Sequence, residues 1–196
     1  NYPRSAFYSG MNMLGTHDTP RVLTMLGTCP KEAPATRTER AHYRMSPEER
    51  DKGIRLLQAG AVLLYAFPGS PTVFYGDEAG MEGWEDPFNR GTYPWGREDP
   101  VLQRRFALLG RLRRERLSLQ TGDLRWLHAQ GPVLAFARDG EGETTVAAVN
   151  AGPEAVRLDL PWSAPLAVDA LTEQRFLASD GVVRLTLPPR DAVLLI

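Results

Sequence analysis

The segment from Ser46 to Phe67 reads as a helix that cannot face water along its second half. Ser46-Pro47-Glu48-Glu49 is a capping box, with proline at the first helical position and a glutamate placed to reach back to the cap amide. From Ile54 to Phe67 the residues are apolar almost all round, so the helix must be packed on more than one side. Pro68-Gly69-Ser70-Pro71 stops it, and Thr72-Val73-Phe74-Tyr75, closed by Gly76, reads as a buried strand. Upstream, Met11-Asn12-Met13-Leu14 before Gly15 reads as another, and residues 19–45, rich in Thr, Pro, Arg and Gly, read as a long polar loop. A second, aromatic-rich loop spans Asp77 to Asp99. Asp99-Pro100 then caps a helix with Leu102, Phe106, Leu109 and Leu112 on one face.

The order β, α, β, α belongs to parallel-strand architectures, yet 196 residues fall short of the roughly 250 that a complete eight-stranded α/β barrel takes. From about Leu119 the pattern changes to short strands separated by turns, the signal of an antiparallel sandwich. The expected strands are Leu124–Ala129, Val133–Arg138, Thr144–Asn150, Val156–Leu160, Leu166–Leu171, Val182–Leu187 and Ala192–Ile196. Asp139-Gly140-Glu141-Gly142 and Ala151-Gly152-Pro153 supply hairpin chemistry. The boundary is placed near residue 118, giving units 1–118 and 119–196. No flexible linker separates them, so they should pack together.

With 23 basic and 24 acidic residues, the chain has no overall field to attract nucleic acid or an anionic membrane, and neither partner is expected. The longest apolar run, Ala59 to Phe67, is too short to span a bilayer. Cys29 is the only cysteine, so no internal disulfide supports secretion and a cytoplasmic location is the expectation. Asn1 is not an initiator methionine, and the expectation is a piece of a longer protein.

Gly15-Thr16-His17-Asp18 sits where the first strand ends, the position that holds reacting residues in α/β barrels. A capping Asp beside a satisfied His is the competing reading. Asp77-Glu78 looks like a carboxylate pair, but neighbours in extended chain point to opposite faces, while a retaining glycosidase needs two carboxyls about 5 to 5.5 Å apart facing one bond. They read as structural. Between Glu82 and Trp95, the residues Trp84, Phe88, Tyr93 and Trp95 surround Asp86 and Arg90. Aromatic faces with a carboxylate and a guanidinium suit sugar recognition, and a hydrophobic lid with a surface ion pair explains the same composition. The arginine-rich stretch Arg97–Leu117 reads as a solvated helix face.

Taken together, Met11 to Arg21 (MNMLGTHDTPR) and Phe67 to Met81 (FPGSPTVFYGDEAGM) resemble the α-amylase family. Asp86-Pro87-Phe88-Asn89-Arg90 followed by Tyr93-Pro94-Trp95 is similar to its neopullulanase, cyclomaltodextrinase and maltogenic amylase branch. The resemblance runs through essentially the whole chain. It implies strands seven and eight of a TIM barrel with their helices, followed by the family's antiparallel β-sandwich, a fold of α/β plus all-β class.

The resemblance also implies site roles. Asp18 matches the acidic residue that stabilises the transition state, and His17 its hydroxyl-binding neighbour. Asp86 and Arg90 match residues that hold the next glucose on the non-reducing side, and Trp84 is expected to contribute to substrate binding. The family's nucleophilic Asp and acid/base Glu lie on barrel strands four and five, which have no counterpart here, so the chain alone should not catalyse. The implied activity is retaining hydrolysis of α-1,4, and in some relatives α-1,6, glucosidic bonds in maltooligosaccharides, cyclodextrins, pullulan or starch. A transglycosylating or isomerising relative of the trehalose synthase type, or a non-catalytic carbohydrate-binding protein on the same scaffold, would share these motifs. No cofactor or metal site is expected in this chain, while a structural calcium ion elsewhere in the parent enzyme fits the family. The expected partners are an α-glucan substrate and the missing N-terminal part of the same enzyme, with self-association of the isolated fragment as the alternative.

Overall fold

The computed structural model describes residues 2–28 and 33–196, so Asn1 and Cys29 lie outside the described residues. The first part is built on a parallel pair of strands, β1 (Met11–Met13) and β2 (Ser70–Thr72), with Met11 opposite Ser70 and Met13 opposite Thr72. Parallel strands need a long crossover, and it is supplied by α4 (Pro47–Ala66). Ser46 and Glu49 form the expected reciprocal cap at its start. Gly69 allows the return to β2: its φ of 109° lies in the region that favours glycine, and a Cβ there would strike the Gly10 carbonyl.

Three short helices precede the crossover, α1 (Arg4–Tyr8), α2 (Val22–Gly27) and α3 (Arg37–His42). Residues 19–45 are therefore not simply a loop. β2 also differs from expectation. Its pairing ends at Thr72 because β1 is only three residues long, and Phe74 and Tyr75 instead place their rings 4.3 and 4.7 Å from the Arg21 guanidinium. After β2 come α5 (Pro100–Glu115), capped by Asp99, and α6 (Leu117–Thr121).

The remaining strands are β3 (Asp123–Gln130), β4 (Val133–Gly140), β5 (Glu143–Asn150), β6 (Val156–Pro161), β7 (Leu166–Val168), β8 (Arg175–Ser179), β9 (Val182–Leu187) and β10 (Asp191–Leu195). They form two four-stranded sheets, ordered β10-β5-β4-β3 and β6-β9-β8-β7, with antiparallel pairing. The first sheet is covered on both faces. Phe136, Ala147, Val149 and Leu194 share a core with Leu57, Val62, Leu102, Phe106 and Leu109 of α4 and α5. Ala135, Ala137, Val146, Ala148 and Val193 face Leu158, Leu160, Val183 and Leu185 of the second sheet. Double coverage explains why β4, β5 and β10 lack the polar alternation of a one-sided strand.

The apolar half of α4 is enclosed by α2, α5, β5 and β10, and Leu57, Ala61, Val62 and Ala66 are buried. Two arginines complete its C-terminus, where helix carbonyls lack partners. Arg113 of α5 donates to the carbonyls of Tyr65 and Phe67 at 2.9 and 3.1 Å. Arg138 of β4, fully buried, donates to Ala66 O at 2.7 Å and to Gly122 O. Burial lowers the Arg138 pKa to about 10, with the nearby Arg113 charge adding to the effect. Part of the arginine-rich stretch thus turns inward instead of forming a wholly solvated face.

Candidate functional site

Because β1 and β2 are parallel, the segments that follow them leave the sheet at the same end. One is Leu14–Arg21. The other is the long connection from Val73 to Asp99. Their juxtaposition brings together residues distant in sequence, as expected at the carboxyl ends of barrel strands.

Asp18 stands at the tip of the first segment, with Oδ1 3.3 Å from Nε2 of His17. Arg90, from the second, reaches between two carboxylates: its Nε is 3.2 Å from Asp86 Oδ1 and its Nη2 is 4.0 Å from Asp18 Oδ1. The same Nε donates to the His17 carbonyl at 3.3 Å. The side chains of His17, Asp18, Asp86 and Arg90 are solvent-accessible. They form an open cluster of two carboxylates, an imidazole and a guanidinium. It offers donors and acceptors of directed hydrogen bonds side by side.

A buried layer supports the cluster. Arg21 is 1% exposed and Asp77 3%; Arg21 Nη1 is 3.3 Å from Asp77 Oδ1 and also donates to Tyr75 O. Burial is the larger influence on the Asp77 carboxyl and pushes it up to about 6 against the opposing pull of Arg21. Gly15 lies against this carboxylate, so that any Cβ would collide with Asp77 Oδ2. The Arg21 N–H donates to Gly83 O at 2.8 Å, and Gly83 N–H to Thr24 Oγ1 at 3.0 Å. Arg50 of α4 holds the second segment from below, bonded to Glu82 at 2.6 Å and to Asp99 at 3.2 Å. Glu78 accepts from Gly76 N–H at 2.8 Å. Asp77 and Glu78 therefore have separate partners and do not face one bond.

Trp84 does not join the cluster. It is 8% exposed and packs edge-on against Tyr43, with ring centroids 5.6 Å apart, so its face is closed to a sugar. Trp84, expected to contribute to substrate binding, thus lies in the packed layer beside Tyr43 and not in the open cluster. Trp95 is the open aromatic of the loop, 80% exposed and 4.6 Å from the Tyr93 ring. Sequence reasoning does not single out Asn89, Arg21 and Gly15 as supports of the site. The signal it offers is that all three lie inside the motifs that carry Asp18 and Arg90.

Residues 124–194 match the model of the family described as "Maltogenic Amylase, C-terminal domain". Among curated proteins, the chain is 43% identical over 137 residues to an amylopullulanase of Thermoanaerobacter thermohydrosulfuricus, covering 70% of this chain and 9% of that protein. It is 30% identical over 200 residues to a cyclomaltodextrinase of Geobacillus thermopakistaniensis strain MAS1, covering 99% of this chain and 30% of that one. The chain thus spans less than a third of the length of either relative. Among solved structures, Ttha1563 from Thermus thermophilus superposes with a TM-score of 0.71 at 32% identity, covering 94% of this chain and 35% of that one. The Anoxybacillus α-amylase gives 0.77 at 25% identity, with 96% and 38% covered. The chain accordingly belongs to the α-amylase family, in the branch of neopullulanases, cyclomaltodextrinases and maltogenic amylases, and corresponds to the C-terminal part of its members.

Proposed function

We propose that these residues form the C-terminal part of a retaining α-glucan hydrolase acting on maltooligosaccharides and related α-glucans. The observation that carries this reading is the placement of Asp18 at the end of β1 with Arg90, itself tied to Asp86, directed toward it. Asp18 supplies negative charge where an oxocarbenium-like transition state develops positive charge, and its hydrogen bonds to ring hydroxyls strengthen as the sugar flattens. His17 binds a hydroxyl of the same sugar. Asp86 and Arg90 hold the next glucose on the non-reducing side. The nucleophile and the acid/base come from the part of the enzyme outside these residues, so this chain contributes binding and electrostatic stabilisation.

The same reading gives the parent enzyme as the partner of the β1–β2 sheet. Separated from it, this chain associates with that missing part or with a second copy of itself. The function is tested with the full-length enzyme and a defined maltooligosaccharide, following the anomeric form of the product by proton NMR. Retention of the α-anomer is expected. Initial release of the β-anomer, or binding without cleavage, contradicts the proposal.

A further inference from the structure

Asn89 is fully buried, in a single 3-10 turn formed by Phe88–Arg90. Its side-chain amide donates to the carbonyls of His17 and Thr19, each at 2.8 Å. These carbonyls belong to the residues that flank Asp18, that of His17 in the peptide group leading into Asp18 and that of Thr19 in the Thr19–Pro20 group. Both only accept, so the nitrogen end of the carboxamide must face them. A single neutral atom with two N–H groups is needed to hold two carbonyls at once. Asn meets that need at this reach, whereas Ser and Thr offer one donor.

The other end of the amide shows what this arrangement costs. Asn89 Oδ1 is buried without a hydrogen-bond partner, and an unpaired buried carbonyl is unfavourable. An apolar residue would avoid that cost but would release the two carbonyls. The turn itself is fixed on both sides: Gly83 lies so close to the Phe88 carbonyl that a Cβ would collide with it, and the Tyr75 hydroxyl donates to Gly91 O at 2.8 Å. Asn89 therefore joins a rigid turn to the backbone of the two residues that flank Asp18. The next residue, Arg90, emerges from the same turn toward the Asp18 carboxylate.

From this geometry we infer that Asn89 is a positioning residue, which sets the Asp18 carboxylate against Arg90 by clamping the backbone carbonyls of the two residues that flank Asp18. The inference rests on the proposed role of Asp18. Asn89 acts through Asp18, so its removal costs activity only while Asp18 is functional.

The test is a double-mutant cycle in the full-length enzyme, with Asn89→Ala, Asp18→Asn and the pair, assayed on a maltooligosaccharide series. Asn89→Asp, equal in size but lacking the donors, is a second probe of the same bond. Displacement of a reacting group by about 1 Å can cost about a hundredfold, so each Asn89 variant is expected to lower kcat/KM about tenfold to a hundredfold. In the Asp18→Asn background, Asn89→Ala is expected to add less than about a twofold loss. Wild-type kinetics in both Asn89 variants, or a full loss retained in the double variant, overturns the inference while leaving the role of Asp18 intact. Failure of both Asn89 variants to fold, judged by circular dichroism, also overturns it, because Asn89 would then be required for the fold itself. A near-normal Asp18→Asn enzyme overturns the functional reading beneath it.

Discussion

Arg21 and Asp77 face each other at 3.3 Å with almost no access to water, in the layer that supports the Asp18 loop. Removing a carboxylate from water disfavours its charged form, and here that effect exceeds the attraction of the neighbouring guanidinium. The Asp77 carboxyl therefore rises from 3.8 to about 6. A pKa higher in the folded than in the unfolded state means that the folded protein holds the proton more tightly. The stabilisation is complete below about pH 4 and is lost as pH rises through about 6. A shift of this size corresponds to about 3 kcal/mol.

Thermal and urea unfolding of the protein and of Asp77→Asn between pH 4 and 7 measure this directly. The stability of the natural protein relative to the variant is expected to fall by about 2 kcal/mol across that window. A relative stability that rises with pH would show that the pull of Arg21 prevails over burial.

Arg90 reaches Asp86 and the His17 carbonyl through Nε, and Asp18 through Nη2, of one planar group. An ammonium cannot reproduce that fork. Arg90→Lys is expected to raise KM for maltooligosaccharides more than it lowers kcat, because the lost contacts position a sugar away from the cleaved bond. Unchanged steady-state kinetics with both short and long oligosaccharides would leave Arg90 a structural residue.

Arg138 connects the sandwich to the end of α4 through the Ala66 carbonyl and to the end of α6 through that of Gly122. Arg138→Met keeps the aliphatic length but leaves these buried acceptors without the charged donor. A loss of about 3 kcal/mol in urea unfolding is expected. A loss below about 0.5 kcal/mol would mean that water or a rearranged Arg113 replaces the contact.

Much of this architecture is legible in the sequence because its signals are local. The cap at Ser46, the proline-glycine stop after Phe67, the Asp99 cap and the turn residues between strands each act within a few positions. α2 and α3 are hidden because six residues are too few to show helical periodicity, and α2 is secured by its packing on α4. β8 escapes for a related reason: it is a short strand with several exposed residues. The inward placement of Trp84 is hidden because an aromatic residue in a loop has no period to indicate which way it points. The approach of Asp18 and Arg90 follows from parallel strand pairing, and their motif resemblance suggests it, while the clamp at Asn89 depends on tertiary contacts that no residue pattern encodes. The apolar half of α4 is packed on more than one side within this chain, by α2, α5, β5 and β10, and is not left open to a partner.

The surface left for association is therefore the β1–β2 sheet, where Met11 is 64% exposed and, among the described residues, each strand pairs on one side only. Such edges recruit further strands. The purified chain is expected to scatter light as an oligomer at micromolar concentration, and Met11→Lys with Met13→Lys should shift it toward the monomer. A stable monomer of the natural sequence would show that this sheet closes on its own.

The proposed role of Asp18, stabilising the transition state of glycoside cleavage, is tested most directly by the turnover of Asp18→Asn in the full-length enzyme on a maltooligosaccharide. The substitution keeps the shape of the side chain and removes the negative charge facing a developing cation, a contribution commonly worth about 3 to 4 kcal/mol. Turnover is expected to fall about a hundredfold to a thousandfold, with folding intact and sugar binding weakened much less. A folded Asp18→Asn enzyme that turns over within about threefold of the natural one would contradict the account.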